Sequence, residues 1–188
     1  MGTKDFNLID LFIARIRMSK VAGFVKNGDN ILDFGCGNQS LLLETMNNKL
    51  KSGIGVDYDT ENRKKGNVEY VRFKFLNKLP FKNDFFDKVF LLAVLEHIDP
   101  NNVKILFNEF YRILKPKGII ILTTPTPHSK KILEFLAYKL HLISETEVRD
   151  HKMYYDRKKI EDLIPNLQII NYELFGFGLN SLCVIKKN

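Results

Sequence analysis

Asp33-Phe34-Gly35-Cys36-Gly37-Asn38 is the stretch that decides the predicted fold of this chain. The apolar pair Ile31-Leu32 precedes it and the apolar run Leu41-Leu42-Leu43 follows it, which predicts a strand, a glycine turn and the start of a helix. In proteins that alternate strands and helices, such a turn presents backbone N–H groups and a helix N-terminus to a nucleotide-like ligand. The sequence therefore predicts a ligand-binding loop here.

A second apolar run, Gly53-Ile54-Gly55-Val56, ends at Asp57, twenty residues after Gly37. A carboxylate at this distance from the glycine turn is suited to accept hydrogen bonds from two ribose hydroxyls. A dinucleotide-binding loop of the Gly-x-Gly-x-x-Gly type is the nearest rival, but Ser40 occupies the place of its third glycine. The two runs together predict a ligand that carries a ribose.

The bulk composition is that of one globular domain. The 188 residues are 45% hydrophobic and 27% charged, which suits a soluble domain with a sizeable core. No apolar run reaches the roughly 20 residues of a membrane-spanning helix, and no signal-peptide pattern opens the sequence. The two cysteines, Cys36 and Cys183, are no disulfide framework, so we expect a cytoplasmic protein without a membrane span.

The net charge of +7 would suit nucleic acid, anionic lipid or a phosphorylated substrate as a partner. The densest basic patches are Lys64-Lys65, Lys130-Lys131 and Arg157-Lys158-Lys159, and these lie apart in the sequence. No compact basic block or basic stripe with interleaved aromatic residues stands out. We therefore interpret the charge as a basic surface composition, and we do not expect a nucleic-acid partner, although the charge leaves one open.

Predicted strands and helices alternate through most of the chain. Residues 86–92 form a continuous apolar run, which is typical of a buried parallel strand. Asp99-Pro100 predicts a helix start, because Asp is a favoured cap and Pro a favoured first residue. The alternation predicts a parallel sheet with helices on both faces. The other predicted strands are residues 31–33, 53–56, 69–75, 119–123, 167–174 and 182–185. The other predicted helices are residues 7–25, with Asp5 or Asn7 as the cap; residues 40–50; a short helix capped by Thr60; a helix near residues 130–140; and a short helix capped by Asp156.

Five short motifs follow one another between residues 31 and 124. They are Asp33-Phe34-Gly35-Cys36-Gly37; Asp57; Leu79-Pro80-Phe81 with Phe86-Asp87-Lys88-Val89; Ala93-Val94-Leu95-Glu96-His97-Ile98; and Arg112-Ile113-Leu114-Lys115-Pro116-Lys117-Gly118. Each motif is weak alone, but five in this order and spacing are a strong signal. With them the chain resembles the class I S-adenosylmethionine (SAM) methyltransferases, especially the small-molecule type 11 group.

The resemblance implies a three-layer, Rossmann-like α/β fold. The family's sheet has seven mostly parallel strands in the order 3-2-1-4-5-7-6, with the last strand antiparallel and helices on both faces. We therefore expect residues 1–188 to form one methyltransferase domain in which residues 1–25 and 124–160 cover the substrate. The implied partners are a small-molecule acceptor and SAM, which leaves as S-adenosylhomocysteine, and we expect a monomer or a homodimer.

The resemblance also implies roles around the cofactor. Asp33 would hold the ammonium group of the methionine part, often through water, and Asp57 would accept hydrogen bonds from the ribose hydroxyls. Gly35 and Gly37 would let the backbone approach the cofactor closely, and Ala93 would offer its backbone to the methionine part. The full predicted cofactor-binding set is Asp33, Gly35, Cys36, Gly37, Gln39, Asp57, Tyr58, Phe75, Leu76, Asn77 and Ala93.

Two positions depart from the family's pattern. The family often has a third glycine where this chain has Gln39, whose side chain would narrow the floor under the cofactor or donate its amide to the cofactor's carboxylate. The family also often has an Asp after the third strand that binds the adenine amino group, and this chain has Phe75 there. We expect adenine to meet the backbone of Leu76 and the side chain of Asn77 instead.

Four histidines are candidates for acid–base chemistry near neutral pH. His97 follows the fourth predicted strand, and His151 lies in the segment expected to cover the acceptor, so these two are the predicted catalytic residues. His128 follows the fifth strand, and His141 lies in a helical apolar context that favours a structural role. For each of them an ordinary polar loop histidine is the alternative.

No metal site is predicted. Some relatives hold a divalent metal with a Glu-x-x-Glu-His motif, and Glu96-His97 matches the end of that motif, but Ala93 replaces its first Glu. Two adjacent ligands rarely make a site alone, and no Cys/His spacing suggests zinc.

The resemblance implies an enzyme that transfers a methyl group from SAM to a small molecule by direct in-line displacement. The acceptor could be a sugar or glycan precursor, a lipid or a quinone precursor, and residues 150–156 resemble a stretch of methyltransferases in glycan biosynthesis. An RNA or protein methyltransferase is the alternative; the basic charge favours it, and the lack of an Asn/Asp-Pro-Pro-Tyr/Phe motif after the fourth strand opposes it. A non-catalytic SAM-binding protein is the second alternative, because of Gln39 and Phe75.

Overall fold

The computed structural model describes residues 8–188, which form one mixed sheet of eight strands with helices on its faces. The strands are β1 (Asn30–Phe34), β2 (Ser52–Asp57), β3 (Arg63–Lys65), β4 (Val68–Arg72), β5 (Phe86–Leu92), β6 (Leu114–Pro125), β7 (Leu167–Phe175) and β8 (Asn180–Lys187). Their order across the sheet is β3-β4-β2-β1-β5-β6-β8-β7. The central strands β4, β2, β1, β5 and β6 pair in parallel, whereas β8 runs antiparallel to both β6 and β7.

The described residues form six α-helices, of which the first precedes β1 and the others lie between strands. They are α1 (Leu8–Val21), α2 (Leu41–Met46), α3 (Pro100–Ile113), α4 (Ser129–Tyr138), α5 (Glu145–Arg149) and α6 (Arg157–Leu163). Side chains of α3 and α6 share one hydrophobic core with the sheet, and side chains of α1 and α2 share another. The molecule therefore has the predicted three layers. Among the described helices, none is both long and apolar enough to cross a membrane.

Strand β5 shows why the sequences of the central strands are continuous apolar runs. Val89 and Leu91 belong to the core on the α3 side, while Phe90, between them, belongs to the core on the α1 side. Successive strand residues point to opposite faces, so a strand covered on both faces needs an apolar run instead of an alternating pattern. The predicted strand over residues 86–92 is confirmed with the same bounds.

The predicted strand order 3-2-1-4-5-7-6 is confirmed once the short strand β3 is set aside. This strand is the main correction. The sequence predicts a short helix capped by Thr60, but Arg63–Lys65 pairs antiparallel with β4 at the edge of the sheet. Gly66-Asn67 makes the two-residue turn between them, with Gly66 at φ +60°. A two-residue turn with glycine in this conformation joins antiparallel strands, and a helix cannot contain it.

Two predicted helix starts are confirmed in detail. The side chain of Asp99 accepts a hydrogen bond from the N–H of Asn101 at 2.9 Å, and Asp156 accepts one from the N–H of Lys159 at 2.9 Å. Each aspartate satisfies a backbone donor that the first turn of its helix leaves without a partner. The first predicted helix is shorter than expected, since α1 ends at Val21, and its predicted caps Asp5 and Asn7 lie outside the described residues.

The third predicted strand is also shorter than its apolar pattern suggests. β4 ends at Arg72, so Phe75 lies in the loop that follows and not in the strand. Its ring is half-buried against the core and meets the ring of Phe34 edge-on, with 6.1 Å between the centroids. Packing of loop aromatic residues against the core therefore accounts for the extra apolar length of the pattern.

The segment after β6 forms a small core of its own. Ala137 of α4, Ile143 of the turn before α5 and Val148 of α5 are buried together, and Ile13 of α1 packs against them. The two segments that the sequence assigns to the substrate cover, residues 1–25 and 124–160, thus contact each other in the described part of the chain.

Candidate functional site

The candidate site lies at the carboxyl ends of the parallel strands. β1, β2, β4, β5 and β6 all run in the same direction, so the loops that follow them open on the same edge of the sheet. In open α/β sheets ligands bind in the crevice outside these strand ends. The predicted cofactor-binding residues and His97 lie at the ends of these strands or in the loops after β1, β2, β4 and β5, which open on this one edge. His151 lies between α5 and α6.

The glycine turn after β1 is tied to the end of β2. The N–H of Gly35 donates to the carbonyl of Val56 at 2.8 Å, and the N–H of Gly37 donates to Oδ2 of Asp57 at 2.9 Å. Gly35 has φ +76° and Gly37 has φ +64°, a left-handed conformation that glycine adopts without steric penalty. The predicted loop and the predicted carboxylate are thus parts of one hydrogen-bonded unit.

Space around the two glycines differs. A Cβ atom on Gly35 would lie 2.4 Å from Cγ2 of Val94, whereas a Cβ atom on Gly37 would meet no described atom within 4 Å. Gly35 therefore serves close packing between the turn and the loop after β5. The space next to Gly37, beside the carboxylate of Asp57, is open. A ligand could therefore approach the backbone of Gly37 closely.

Asp57 keeps capacity for a ligand. Its Oδ2 accepts from Gly37, and its Oδ1 accepts from the N–H of Asp59 at 2.9 Å. A carboxylate has about four acceptor positions, so hydroxyl groups of a ligand can still bind. The side chain of Tyr58, the next residue, is 55% exposed at the same edge.

Asp33 is held under the turn by Ser40. Oδ2 of Asp33 accepts a hydrogen bond of 2.6 Å from the Ser40 hydroxyl, which in turn accepts from the N–H of Leu43 at 2.9 Å as the cap of α2. Burial raises the pKa of Asp33 to about 6, although the bond from Ser40 lowers it. From the sequence, Ser40 was predicted as the start of a helix and as the place of a missing glycine, but not as a helix cap. A serine before an apolar helical run is a cap signal, which would have identified it.

Arg63 and Thr60 support the rest of the loop, and neither was predicted in this role. The guanidinium of Arg63 and the hydroxyl of Thr60 both donate to the carbonyl of Asn38, the hydroxyl at 3.4 Å. The Arg63 guanidinium also lies 3.8 Å from the ring centre of Tyr70. Arg63 belongs to strand β3, which was not predicted. The Gly66-Asn67 pair, a hairpin-turn signal, was the one sequence feature that could have indicated this strand.

Of the remaining residues in the predicted cofactor-binding set, some are exposed to solvent and one is buried. Leu76 is 70% exposed, and Asn77 and Gln39 are exposed as well, so all three are accessible to a ligand. Cys36 is buried and donates from Sγ to the carbonyl of Gly37 at 3.2 Å. Burial raises the pKa of the Cys36 thiol, so it remains protonated and contributes to the site through its backbone.

Ala93 marks the end of β5 with an uncommon backbone conformation. It has φ +55°, and its N–H donates to the carbonyl of Thr123 in β6 at 2.9 Å. A non-glycine residue in this conformation stores strain that the surrounding structure must hold, and such residues cluster at functional sites. The chain then turns through Leu95–His97, a single 3-10 turn.

This turn brings the two predicted catalytic histidines together with Glu96. The rings of His97 and His151 meet edge-on, with 4.9 Å between the centroids. Ligand-type atoms of Glu96, His97 and His151 all lie within 4.8 Å of one another. The sequence predicted the two histidines separately, and the structure places them in one cluster with a buried carboxylate.

The cluster is fixed by bonds from the segment after α5. The backbone N–H of Lys152 donates to the carbonyl of Glu96 at 2.7 Å, which joins the two parts of the chain. Nδ1 of His97 lies 3.2 Å from Oδ2 of Asp150, and Nδ1 of His151 lies 3.0 Å from the hydroxyl of Tyr154. Each ring therefore has one nitrogen engaged by a neighbour.

Burial sets the charges in the cluster. Glu96 is 1% exposed, and burial raises the pKa of its carboxyl, while the hydroxyl of Thr124 donates to its Oε2 at 3.0 Å. Burial, with the nearby His97, lowers the pKa of His151 to about 4. At neutral pH His151 is therefore an uncharged imidazole, which can accept a proton or bind a metal cation.

The other two histidines lie apart from the cluster. His128 is exposed just before α4, and Nδ1 of His141 lies 2.5 Å from Oε1 of Glu145 on the surface. His141 has φ +52°. The helical context predicted for His141 is wrong, because α4 ends at Tyr138 and His141 lies exposed in the turn before α5.

Known proteins resemble this chain over most of its length. A family model described as a methyltransferase domain matches residues 8–167. The chain is 28% identical over 160 residues to the uncharacterized protein MJ1252 of Methanocaldococcus jannaschii, which covers 74% of this chain and 61% of that protein. It is 31% identical over 103 residues to cyclopropane-fatty-acyl-phospholipid synthase of Escherichia coli strain K12, which covers 53% of this chain and 27% of that enzyme. The chain therefore spans less than two thirds of either relative.

Solved structures share the architecture. The crystal structure of an S-adenosylmethionine dependent methyltransferase from Mesorhizobium loti superposes with a TM-score of 0.68 at 14% sequence identity. The superposition covers 91% of this chain and 98% of that one. At this identity the likeness concerns the fold alone.

Proposed function

We propose that this chain, which belongs to the class I S-adenosylmethionine-dependent methyltransferases, transfers a methyl group from SAM to a small-molecule acceptor. The observation that carries the proposal is the unit formed by Gly37 and Asp57. It joins a backbone N–H, an open place beside Gly37 and a carboxylate with spare acceptor capacity. These are the groups that a ribose with two free hydroxyls needs.

The residues present fit SAM at both of its ends. Asp57 would accept from the ribose hydroxyls, and the exposed side chains of Leu76 and Asn77 lie in the loop where adenine would be held. Asp33 is a buried carboxyl group that would hold the methionine ammonium, directly or through water. Ala93, which has φ +55° at the end of β5, would offer its backbone to the methionine part.

SAM, when bound, supplies a methyl group on a sulfonium that is itself a good leaving group. The chain has to orient the acceptor and exclude water, and most of the rate enhancement would come from this positioning. We assign that work to the cluster of Glu96, His97 and His151, which follows β5 beside Ala93. An acceptor hydroxyl must also lose its proton, which the cluster would have to accept or to direct to water.

The acceptor classes are separated by a single assay. Purified protein and SAM are incubated with a pool of sugar and lipid precursors, with total RNA, or with cell protein, and S-adenosylhomocysteine is measured. A small-molecule methyltransferase releases it only with the metabolite pools, and His151→Ala lowers the rate while SAM binding stays intact. Release with RNA or with protein alone would contradict the proposed acceptor class.

RNA remains the second candidate, because the net charge is +7. Binding to phosphate backbones releases counterions and weakens steeply as salt rises. Filter binding of total RNA at several salt concentrations therefore separates a specific RNA methyltransferase from a basic surface that attracts RNA weakly.

A further inference from the structure

We propose that Glu96, His97 and His151 form a binding site for one divalent transition-metal cation, of the zinc or iron class, at the acceptor side of the active site. The existence of the site follows from the side chains alone. Its role in catalysis rests on the proposed methyl transfer.

The three ligands come from two distant parts of the chain. Glu96 and His97 follow β5, and His151 is brought to them by the hydrogen bond of 2.7 Å from the N–H of Lys152 to the carbonyl of Glu96. Their ligand-type atoms lie within 4.8 Å of one another. Ligands about 2.1 Å from a tetrahedral metal are roughly 3.4 Å apart, so small rotations of the side chains close the site. Adjacent residues alone rarely bind a metal, and His151 is the third ligand that sequence spacing could not reveal.

Both imidazole rings are oriented as metal ligands are. Nδ1 of His97 faces the carboxylate of Asp150, and Nδ1 of His151 faces the hydroxyl of Tyr154. A metal-binding histidine nearly always gives its other ring nitrogen to a carboxylate, a carbonyl or another polar group, which fixes the ring and its tautomer. In both rings Nε2 is then the nitrogen that remains for a cation.

Glu96 supplies the charge that a cation needs. Its carboxylate is 1% exposed, and the only side-chain hydrogen bond described for it comes from the neutral hydroxyl of Thr124. Arg17 of α1 and His97 also act electrostatically on this carboxylate. A buried carboxylate is stabilised by a positive partner within its own cavity, and a cation bound by the two imidazoles would be that partner.

The donor set selects the class of metal. Two imidazole nitrogens and one carboxylate suit zinc, iron, cobalt and manganese, whereas magnesium and calcium prefer oxygen ligands throughout. Three protein ligands also leave positions open, as catalytic metal sites do. An acceptor with a hydroxyl oxygen can occupy such a position.

Such a cation would lower the pKa of an acceptor hydroxyl. The hydroxyl proton passes to water, the oxygen forms a bond to the methyl carbon, and the methyl–sulfur bond breaks with its electron pair on sulfur. The acceptor is then a small molecule with a hydroxyl group, and the product is its methyl ether. In this account the histidines serve as ligands and not as the base.

The test is a metal titration of chelator-treated protein in the absence of SAM. Binding of Co²⁺ is monitored by visible absorption, and binding of Zn²⁺ is measured by calorimetry. We expect one cation per chain. Glu96→Gln and His151→Ala each remove a proposed metal ligand. They should weaken metal binding at least as much as the loss of a hydrogen-bond partner of a ligand does, which is roughly 10–100-fold. His128→Ala and His141→Ala remove surface histidines outside the cluster and should leave binding unchanged. Mg²⁺ should not compete.

Several results would overturn the proposal. They are no uptake of Co²⁺ or Zn²⁺ by the wild type, equal uptake by the two ligand variants, equal loss in the two control variants, and displacement of Co²⁺ by equimolar Mg²⁺. Circular dichroism of each variant shows whether it is folded, and Glu96→Gln keeps the shape of the side chain. A SAM titration of the same preparations separates the claims, because Co²⁺ binding without SAM binding would keep the metal site and contradict the methyl-transfer function.

Discussion

The amide of Gly37 donates a hydrogen bond of 2.9 Å to Oδ2 of Asp57, and this bond joins the loops after the first two strands. A turn that is held in place before a ligand arrives loses little further freedom on binding. The carboxylate therefore shapes the glycine turn, and in the proposed complex it would also offer its remaining acceptor positions to the ribose.

The two glycines of the turn should respond differently to alanine. Both have positive φ, which costs an alanine about 1–2 kcal/mol. Gly35→Ala adds a Cβ that overlaps Val94, and overpacking costs about 1–3 kcal/mol more. We expect urea unfolding to show the larger loss in Gly35→Ala, and SAM titration to show lost affinity in Gly37→Ala, whose new methyl fills the open place.

The double variant Gly35→Ala/Val94→Ala is the control for this explanation. It removes the overlapping side chain, so it should be more stable than expected from the sum of the two single changes. If the stability changes of the two single variants simply add up in the double variant, the overlap between the new Cβ and Val94 does not occur.

Asp33→Asn should stabilise the protein and abolish function together. Burial raises the pKa of Asp33 from 3.8 to about 6, so the folded protein holds this proton more tightly than the unfolded chain. The stability that Asp33 contributes is therefore present below its unfolded value near 3.8 and is lost as the pH rises through about 6. At pH 8 Asp33→Asn should gain up to about 3 kcal/mol in the free energy of unfolding, and this gain should vanish at pH 4.

SAM binding provides the opposite readout for the same residue. The ammonium group of SAM needs the ionised carboxyl, so wild-type affinity should fall as the pH drops below about 6. Asp33→Asn should bind weakly at every pH. Calorimetric titrations between pH 5 and pH 8 measure both trends, and a flat wild-type profile would remove Asp33 from the ammonium site.

Ser40→Ala should destabilise the protein by about 0.5–2 kcal/mol, the usual effect of losing a helix cap. It removes the hydroxyl that caps α2 and also donates to Asp33. Ser19→Ala is the matched control, because its hydroxyl is exposed and donates to the carbonyl of Ile16 within α1. Equal midpoints for the two variants in urea unfolding would show that the Ser40 hydroxyl does not hold the turn.

Tyr155→Phe and Tyr70→Phe should have opposite effects. Tyr155 is 2% exposed, and its hydroxyl has no hydrogen-bond partner among the described residues. Removing a buried hydroxyl without a partner is neutral or stabilising, whereas the Tyr70 hydroxyl donates to Oε1 of Glu44 at 3.0 Å and its loss should cost about 1–3 kcal/mol. Thermal unfolding of the two variants compares them, and a large loss in Tyr155→Phe would reveal a partner for this hydroxyl.

The sequence predicted the parts of the site whose determinants are local. The strand, glycine turn and helix around Gly35 and Gly37 lie within a dozen residues, and Asp57 follows at the end of the next strand. Parallel strands bring such turns to one edge, so spacing alone predicts that they meet. The strand over residues 86–92 was predictable from its continuous apolar run. The seven-strand order came from the family resemblance, because apolar runs alone do not say which strands pair.

Other features depend on contacts that spacing does not record. His151 is held beside Glu96 by the hydrogen bond from the N–H of Lys152 to the carbonyl of Glu96, two residues that lie 56 positions apart in the chain. His151 belongs to a region where the alternation of strands and helices weakens. β3 was missed because its residues, Arg63–Lys65, are basic and carry no apolar pattern. An exposed edge strand is held by its neighbour and its turn instead of by burial.

Calorimetric titration with SAM of the wild type and of Asp57→Ala tests the central claim most directly. The account predicts micromolar binding by the wild type and a loss of roughly 100-fold or more in Asp57→Ala, since hydrogen bonds to a charged acceptor contribute about 1.5–3 kcal/mol each. Asp59→Ala, next to the site, keeps the carboxylate of Asp57 and should bind as the wild type does. Equal affinity in folded wild type and Asp57→Ala, or no binding by folded wild type freed of carried-over SAM, would contradict the account.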